Sequence, residues 1–225
     1  MGKTPILALG LLILATTTAA GAGTRTLTLV RHGAYDHEDP ADPEVGMALV
    51  PLGVAQARLT ANRLALLPAP VTALVTSPMT RARETARVIG EAFGDVAIQE
   101  NRLLRECVPP TVREDVMAHW PEEHVTACRE QFERAFAELF VPAPGEDLHE
   151  ILVCHGNVIR YLVTRVLGMD PERYLDLGLA HCSLTVVRVT PDGSMKLLAF
   201  GDAGHLPPNL QSGLTADDPR LAVPE

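Results

Sequence analysis

Lysine is almost missing from this chain. Of its 19 cationic residues only Lys3 and Lys196 are lysines, and the rest are arginines. Beside the abundant Ala, Leu and Pro, that bias reads as codon composition rather than chemistry. Positive charge is also short: 19 Lys+Arg face 28 Asp+Glu, a net charge of −9 with a pI of about 5.4. Such a balance excludes a protein that grips a nucleic-acid backbone with a basic face, but not a small cationic pocket inside an acidic shell. Cysteine is sparse, and Cys107, Cys128, Cys154 and Cys182 form no Cys-x-x-Cys pair. With no paired His-x-x-x-His beside them, the usual zinc spacings are excluded. The chain has no internal repeat, linker or low-complexity segment after residue 23. Its 225 residues, 47% hydrophobic, therefore read as one domain with a sizeable core.

Long apolar runs are missing too, with one exception. Lys3 precedes the eleven residues Pro5 to Ala15, and the small residues Ala20-Gly21-Ala22 follow. A positive start, a short apolar stretch and a small-residue cleavage region predict a secretory signal peptide over residues 1–23. Spanning a membrane takes about 20 apolar residues, so an uncleaved anchor is the weaker alternative. The expectation is export to the periplasm or the extracellular space, with residues 24–225 as the mature domain. Export would let the four cysteines pair. A core of this size needs no covalent staple, so buried unpaired thiols are the favoured reading.

Short β-branched runs predict buried strands at Arg25–Arg31, Val71–Val75 and Ile151–Cys154. Helices are expected over Gly53–Leu67, from Ser77 to about Phe93, over Pro121–Phe140 and over Val158–Leu167, the last stopped by Gly168. Leu184–Thr190 and Met195–Phe200, joined by Pro191-Asp192-Gly193, form a hairpin signal. Alternation of strand and helix predicts a three-layer α/β/α sandwich, with a mostly parallel central sheet and the hairpin at its edge.

Two of the predicted strands end alike, in Arg31-His32-Gly33 and Cys154-His155-Gly156. Ligands of open α/β sheets sit beyond the carboxyl ends of parallel strands, so His32 and His155 would share one rim. A glycine after each histidine lets its N–H approach an anion. Arg31 and Arg81 would add guanidinium forks suited to phosphate. Arg83 and Arg87 read as a solvated helix face. The acidic stretch Asp36-His37-Glu38-Asp39, with Asp42 and Glu44, has no Ca²⁺-loop spacing and reads as a solvated loop.

Leu29-Val30-Arg31-His32-Gly33 resembles the opening motif of the histidine phosphatase (phosphoglycerate mutase-like) superfamily. Further matches follow in order: Leu52 to Ala57, Ser77 to Ala86 with Arg81, Leu103-Leu104-Arg105-Glu106, and His155-Gly156. His119-Trp120-Pro121, Asn157 to Tyr161 and Gly201 to Pro208 narrow the resemblance to one subgroup. That subgroup comprises mitochondrial phosphoglycerate mutase-like serine/threonine protein phosphatases and their bacterial relatives.

The resemblance implies that His32 is a nucleophile forming phosphohistidine, a reasonable task for a neutral imidazole. Arg31, Arg81 and His155 would surround the phosphate, joined by Gly156 and Asn157, the latter on phosphate or orienting His155. Glu106 would be the general acid and then the base for water. Arginines do the neutralising, so no cofactor or metal is expected. Ala34-Tyr35-Asp36 departs from the family's polar residues after the glycine, so a contact is missing or replaced there. Cys107-Val108-Pro109-Pro110 is apolar where glycolytic mutases carry a basic substrate loop, which favours a phosphatase over a mutase. The leading expectation is a phosphomonoesterase, with phosphoserine or phosphothreonine in proteins among its expected substrates. An exported sugar-phosphate phosphatase is the alternative, and a mutase or an inactive phosphate-binding protein comes behind. The expected partner is a phosphorylated substrate, with no nucleic acid. A membrane enters only if the N-terminal segment stays uncleaved, and a homodimer is an option.

Overall fold

The computed structural model describes residues 21–36, 45–94 and 96–214. Most of the predicted signal peptide and nearly all of the acidic stretch after Asp36 lie outside the described residues. Strands β1 (Arg25–Arg31), β2 (Ala73–Thr76), β3 (Ile98–Glu100), β4 (Leu148–Cys154), β5 (Leu184–Val189) and β6 (Met195–Asp202) form one sheet in the order β3-β2-β4-β1-β5-β6. The pairs β3·β2, β2·β4 and β4·β1 are parallel, while β5 runs antiparallel to β1, and β6 to β5.

Continuous apolar runs make β1 and β4 the centre of the sheet, because both faces of a central strand are covered. Period-two alternation then sorts their side chains between two cores. Leu27, Leu29, Leu152 and Cys154 pack with Phe132 of α4 (Glu122–Leu139) and with Ile159 and Tyr161 of α5 (Gly156–Leu167). Val30, Ile151 and Val153 face the other way, onto Leu64 of α1 (Pro51–Ala65) and Ala86 and Ile89 of α2 (Thr80–Gly90). This is the three-layer α/β/α sandwich. The Asp192-Gly193 turn closes the edge hairpin, with Gly193 at φ 83° and the Asp192 carboxylate accepting the Ser194 N–H at 3.1 Å.

Several boundaries move for local reasons. Helix α1 begins at Pro51, a residue suited to the first helical turn. Helix α2 begins only at Thr80, because Ser77 still donates its N–H to the Val153 carbonyl at 2.9 Å and so extends the sheet. Helix α5 reaches back to Gly156, with His155 as its extended cap residue. A one-turn helix, α3 (Glu114–Met117), precedes α4. All three residues of β3 are exposed, so no hydrophobic pattern marks it. Gly23 exchanges two backbone hydrogen bonds with Ala143, at 2.9 and 3.0 Å.

The cysteines require a correction. Cys107 and Cys128 form a disulfide, with Cα atoms 5.8 Å apart and a sequence separation of 21. The bond ties the apolar loop after Glu106 to α4. Cys154 and Cys182 are buried thiols, and burial pushes both up from the usual thiol range. Among the described residues, no helix is long and apolar enough to cross a membrane.

Candidate active site

In the parallel register of β1 and β4, Arg31 lies opposite Cys154. His32 and His155 are each one residue further on, so the two strands deliver them to the same rim. Their ring centroids are 5.0 Å apart, and both residues are buried.

A hydrogen bond assigns the His32 proton. His32 Nδ1 lies 2.8 Å from the Gly33 carbonyl, which can only accept. Nδ1 therefore carries the proton, and the lone pair is on Nε2. Arg81 Nε donates to that lone pair at 3.1 Å. Burial, and then the positive charge of His155, Arg31, Arg81 and His181, holds His32 well below the usual histidine range. The ring is neutral near pH 7. His155 is keyed by Ser77, whose Oγ accepts the Met79 N–H at 3.3 Å and lies 2.8 Å from His155 Nε2. The hydroxyl can donate to Nε2 or accept from it, and the other ring nitrogen is Nδ1. That Nδ1 is buried and has no partner among the described residues. Burial, then Arg81 and Arg31, also lowers His155.

Arg31 Nη1 donates to the carbonyls of Leu179 and Gly213, at 2.5 and 2.6 Å. Burial, then the like charge of Arg160, brings its guanidinium down to about 10. Arg81 is 6% exposed and lies over the Tyr35 ring at 4.8 Å. Gly46 packs beside it with φ 76°, and a Cβ there would lie 2.7 Å from Arg81 Nη1. Its helix neighbours part from it as expected of a solvated face. Arg83 pairs with Glu100 at 3.6 Å and Arg87 with Glu91 at 3.4 Å, all well exposed.

Glu106 is half-buried as a residue, yet its Oε1 is sealed from solvent with no partner among the described residues. Oε2 accepts the Asn157 N–H from the first turn of α5 at 3.4 Å. Burial raises this carboxyl above the usual range, against the opposing pull of Arg81, Asn157, Arg31 and Arg160. A carboxyl so held keeps its proton to higher pH than an exposed glutamate. The Asn157 side chain turns to the Cys107 carbonyl at 3.1 Å, and so braces the acid loop. Gln131 holds the same loop from α4 through the carbonyls of Leu103 and Arg105, at 3.2 and 2.8 Å.

Two glycines behave differently from each other. The Gly33 N–H, expected to face an anion, donates to Thr85 Oγ1 at 3.0 Å. A Cβ at Gly33 would sit 2.6 Å from the Gly53 carbonyl, so close packing on α1 demands the glycine. A Cβ at Gly156 would lie 3.5 Å from both Arg31 Nε and Arg160 Nη1, so this glycine does face the cationic cluster.

The structure adds residues that the sequence reading gave no role. Tyr35 sets its ring edge-on to His32 at 5.1 Å. Arg160, one turn into α5, is lowered by burial and opposed by Glu106. His181 puts its ring 5.4 Å from that of His32. It arrives from the amino end of β5, which an antiparallel strand presents at the rim where the parallel strands end. Assigning β5 as antiparallel to β1 is the signal that would have found it.

A model of the histidine phosphatase superfamily (branch 1) matches residues 27–202. The chain is 38% identical over 193 residues to the mitochondrial serine/threonine-protein phosphatase Pgam5 of Caenorhabditis elegans, covering 83% of this chain and 66% of that one. It is also 38% identical over 191 residues to mitochondrial PGAM5 of Homo sapiens, covering 83% and 65%. The chain thus spans about two thirds of the length of the curated relatives it matches. Among solved structures, a phosphoglycerate mutase from Plasmodium falciparum superposes with TM-score 0.58 at 27% identity, covering 82% of this chain and 95% of that one. The alpha-ribazole phosphatase from Shigella flexneri gives 0.63 at 17%, covering 79% and 96%, a likeness of fold alone. The Pgam5 relatives are named as mitochondrial proteins. That overturns the expected export of this chain, and leaves the exported sugar-phosphate reading without support.

Proposed function

The chain belongs to the histidine phosphatase superfamily, and from that membership we propose that it hydrolyses phosphomonoesters through a phosphohistidine on His32, with phosphoserine or phosphothreonine of proteins as substrates. The observation that carries the reading is the proton assignment at His32. The Gly33 carbonyl holds Nδ1–H, so Nε2 has a lone pair for phosphorus.

Attack forms the N–P bond and breaks the ester P–O bond, whose electron pair leaves with the alcohol oxygen. That oxygen takes the proton of Glu106, a carboxyl whose hold on its proton burial strengthens. Arg31, Arg81 and His155 stabilise the charge on the phosphoryl oxygens, and Arg81 exchanges its bond to Nε2 for one to phosphate. Glu106, now a carboxylate, takes a proton from water as the new O–P bond forms. The N–P electrons return to Nε2, orthophosphate departs, and Glu106 is protonated again. Arginines supply the neutralising charge, so the cycle needs no metal ion. The Pgam5 relatives named as serine/threonine-protein phosphatases favour phosphoprotein substrates.

The test is a rapid quench with a phosphoserine peptide labelled in its phosphate. The expected product is an acid-labile, alkali-stable phosphoenzyme, absent in His32→Ala, and phosphopeptides turning over faster than small sugar phosphates. An active His32→Ala would remove the assigned nucleophile. A sugar phosphate preferred over every phosphopeptide would remove the proposed substrate class.

A further inference from the structure

Gln56 belongs to the run of residues 52–57 that carries part of the family resemblance, yet the reaction above gives it no task. Its side chain is fully buried in the second turn of α1. A buried amide needs partners for its oxygen and for its nitrogen. The helix presses it against the nucleophile's loop. Gly53 packs there so tightly that a Cβ would strike the Ala34 carbonyl, and the Val50 N–H donates to that carbonyl at 3.1 Å.

The directions of the Gln56 hydrogen bonds are forced, because a backbone N–H only donates and a backbone carbonyl only accepts. The Ala34 N–H meets one end of the amide at 2.8 Å, so that end is the oxygen, Oε1. The Leu210 carbonyl meets the other at 2.7 Å, so that end is the nitrogen, Nε2, which also donates to Ser212 Oγ at 2.9 Å. Two backbone groups thus orient the amide the same way round. Neither direction depends on a hydroxyl or a ring proton.

Each end of the amide leads to a group of the proposed chemistry. The Ala34 N–H and the Gly33 carbonyl belong to one planar peptide unit and point to its opposite sides. Gln56 Oε1 holds one side, and the carbonyl on the other accepts His32 Nδ1–H at 2.8 Å. Donation by the N–H also polarises that carbonyl and strengthens its bond to the ring. At the far end, Gly213 follows Ser212 in the strap of residues 210–213, and its carbonyl accepts Arg31 Nη1 at 2.6 Å.

We propose that Gln56 is a positioning residue, which holds His32 in its Nδ1–H form through the peptide unit of Gly33 and Ala34 and sets Arg31 through the strap. The role rests on the phosphatase reading, in which His32 attacks through Nε2 and Arg31 grips phosphate. One ordinary hydrogen bond shifts a two-state ratio by up to about tenfold. Without the amide, the Nε2–H form of His32, which has no lone pair for phosphorus, gains by that factor.

The test reads the His32 ring directly, by nitrogen-15 NMR of histidine-labelled protein with His32→Ala assigning the signal. Single-turnover phosphohistidine formation from 4-nitrophenyl phosphate and the orthophosphate inhibition constant are measured on the same preparations. Wild type should carry the proton on Nδ1. Gln56→Met, similar in length but without the hydrogen bonds, should mix the tautomers, slow phosphohistidine formation by up to about tenfold and weaken orthophosphate severalfold. Gln56→Glu keeps an oxygen for the Ala34 N–H and should restore the Nδ1–H form. A wild-type ring, or wild-type orthophosphate affinity, in Gln56→Met overturns the proposal, because a residue that only supports the fold would lower Tm and leave both unchanged. A Glu variant as mixed as Met overturns it too. If Gln56→Met fails to fold, Gln56→Asn decides, being one methylene too short to reach both sides, and either wild-type result there overturns the proposal. Wild-type protein that forms no phosphohistidine sinks the phosphatase reading instead, and the ring signal in the variants still tests Gln56.

Discussion

Arg81 donates its Nε–H to Nε2 of His32 at 3.1 Å, the nitrogen proposed to attack phosphorus. One guanidinium thereby meets the lone pair of a neutral imidazole and fixes the orientation of the ring. Lysine offers a point charge without the planar fork. Arg81→Lys is expected to lower kcat/KM for 4-nitrophenyl phosphate by about a hundredfold or more, close to the loss of one preorganised oxyanion donor. Steady-state kinetics check this. A variant within threefold of wild type would mean that Arg81 only neutralises the buried pocket.

Glu106 predicts a pattern across leaving groups. Burial raises its carboxyl above the usual range, so the protonated form survives to higher pH and is lost as the pH climbs through the raised value. With an alkyl phosphate, kcat should fall on that basic limb. Glu106→Gln should remove the limb and cost about 10²- to 10⁴-fold, the usual worth of a positioned acid. With 4-nitrophenyl phosphate, whose phenolate leaves without help, phosphoenzyme formation should be far less affected. Equal losses on both substrates would assign Glu106 a structural role.

Much of this site was legible because two strands wear their burial openly. Thr28-Leu29-Val30 and Ile151-Leu152-Val153 are continuous apolar runs, and the identical His-Gly that follows each becomes one rim once the strands are parallel neighbours. What stayed hidden depends on pairing, which leaves no periodic trace. His181 needs the antiparallel seat of β5 against β1. Three exposed residues, Ile98–Glu100, become a strand only because β2 has a free edge. The union of Cys107 with Cys128 depends on where α4 lies beneath the acid loop. Arg81 was separable from Arg83 and Arg87 through the family pattern alone, since burial of one helix face in three is not written in the arginines themselves.

The disulfide makes the acid loop sensitive to redox state. Cys107 follows Glu106 directly, and its bond to Cys128 closes a loop of 21 residues. Loop closure of that size contributes about 3 kcal/mol by restricting the unfolded chain. Paired Cys107→Ala and Cys128→Ala changes, or reduction by a dithiol, should lower Tm by roughly 6–12 °C for a domain of this size. Asn157 and Gln131 still hold the loop in the reduced protein, so activity on the alkyl phosphate should drop more than activity on 4-nitrophenyl phosphate. Calorimetry with and without the dithiol tests the first claim, and the ratio of the two rates tests the second. An unchanged Tm would mean that the two thiols do not pair in solution.

The buried imidazoles fix how stability responds to acid. His32 and His155 are held well below the usual histidine range, and burial lowers His149 and His205 in the same direction. In the unfolded chain these rings take up protons as the pH falls below about 6.5. The folded chain refuses them until lower pH, so the unfolded state binds more protons and stability drops as pH falls. Glu106 works the other way: its raised carboxyl stabilises most below the ordinary range, and that contribution is gone once the pH has risen through the folded value. Between about pH 6.5 and 5.5 the histidines dominate, because four rings oppose one carboxyl. Denaturant titrations across that interval should show falling stability. His155→Gln, which removes one of the four protons, should flatten the slope by up to about 1.4 kcal/mol per pH unit. Stability that holds level or rises on acidification, in wild type, would mean that the folded site accepts protons as readily as the open chain, and the neutral nucleophile would go with it.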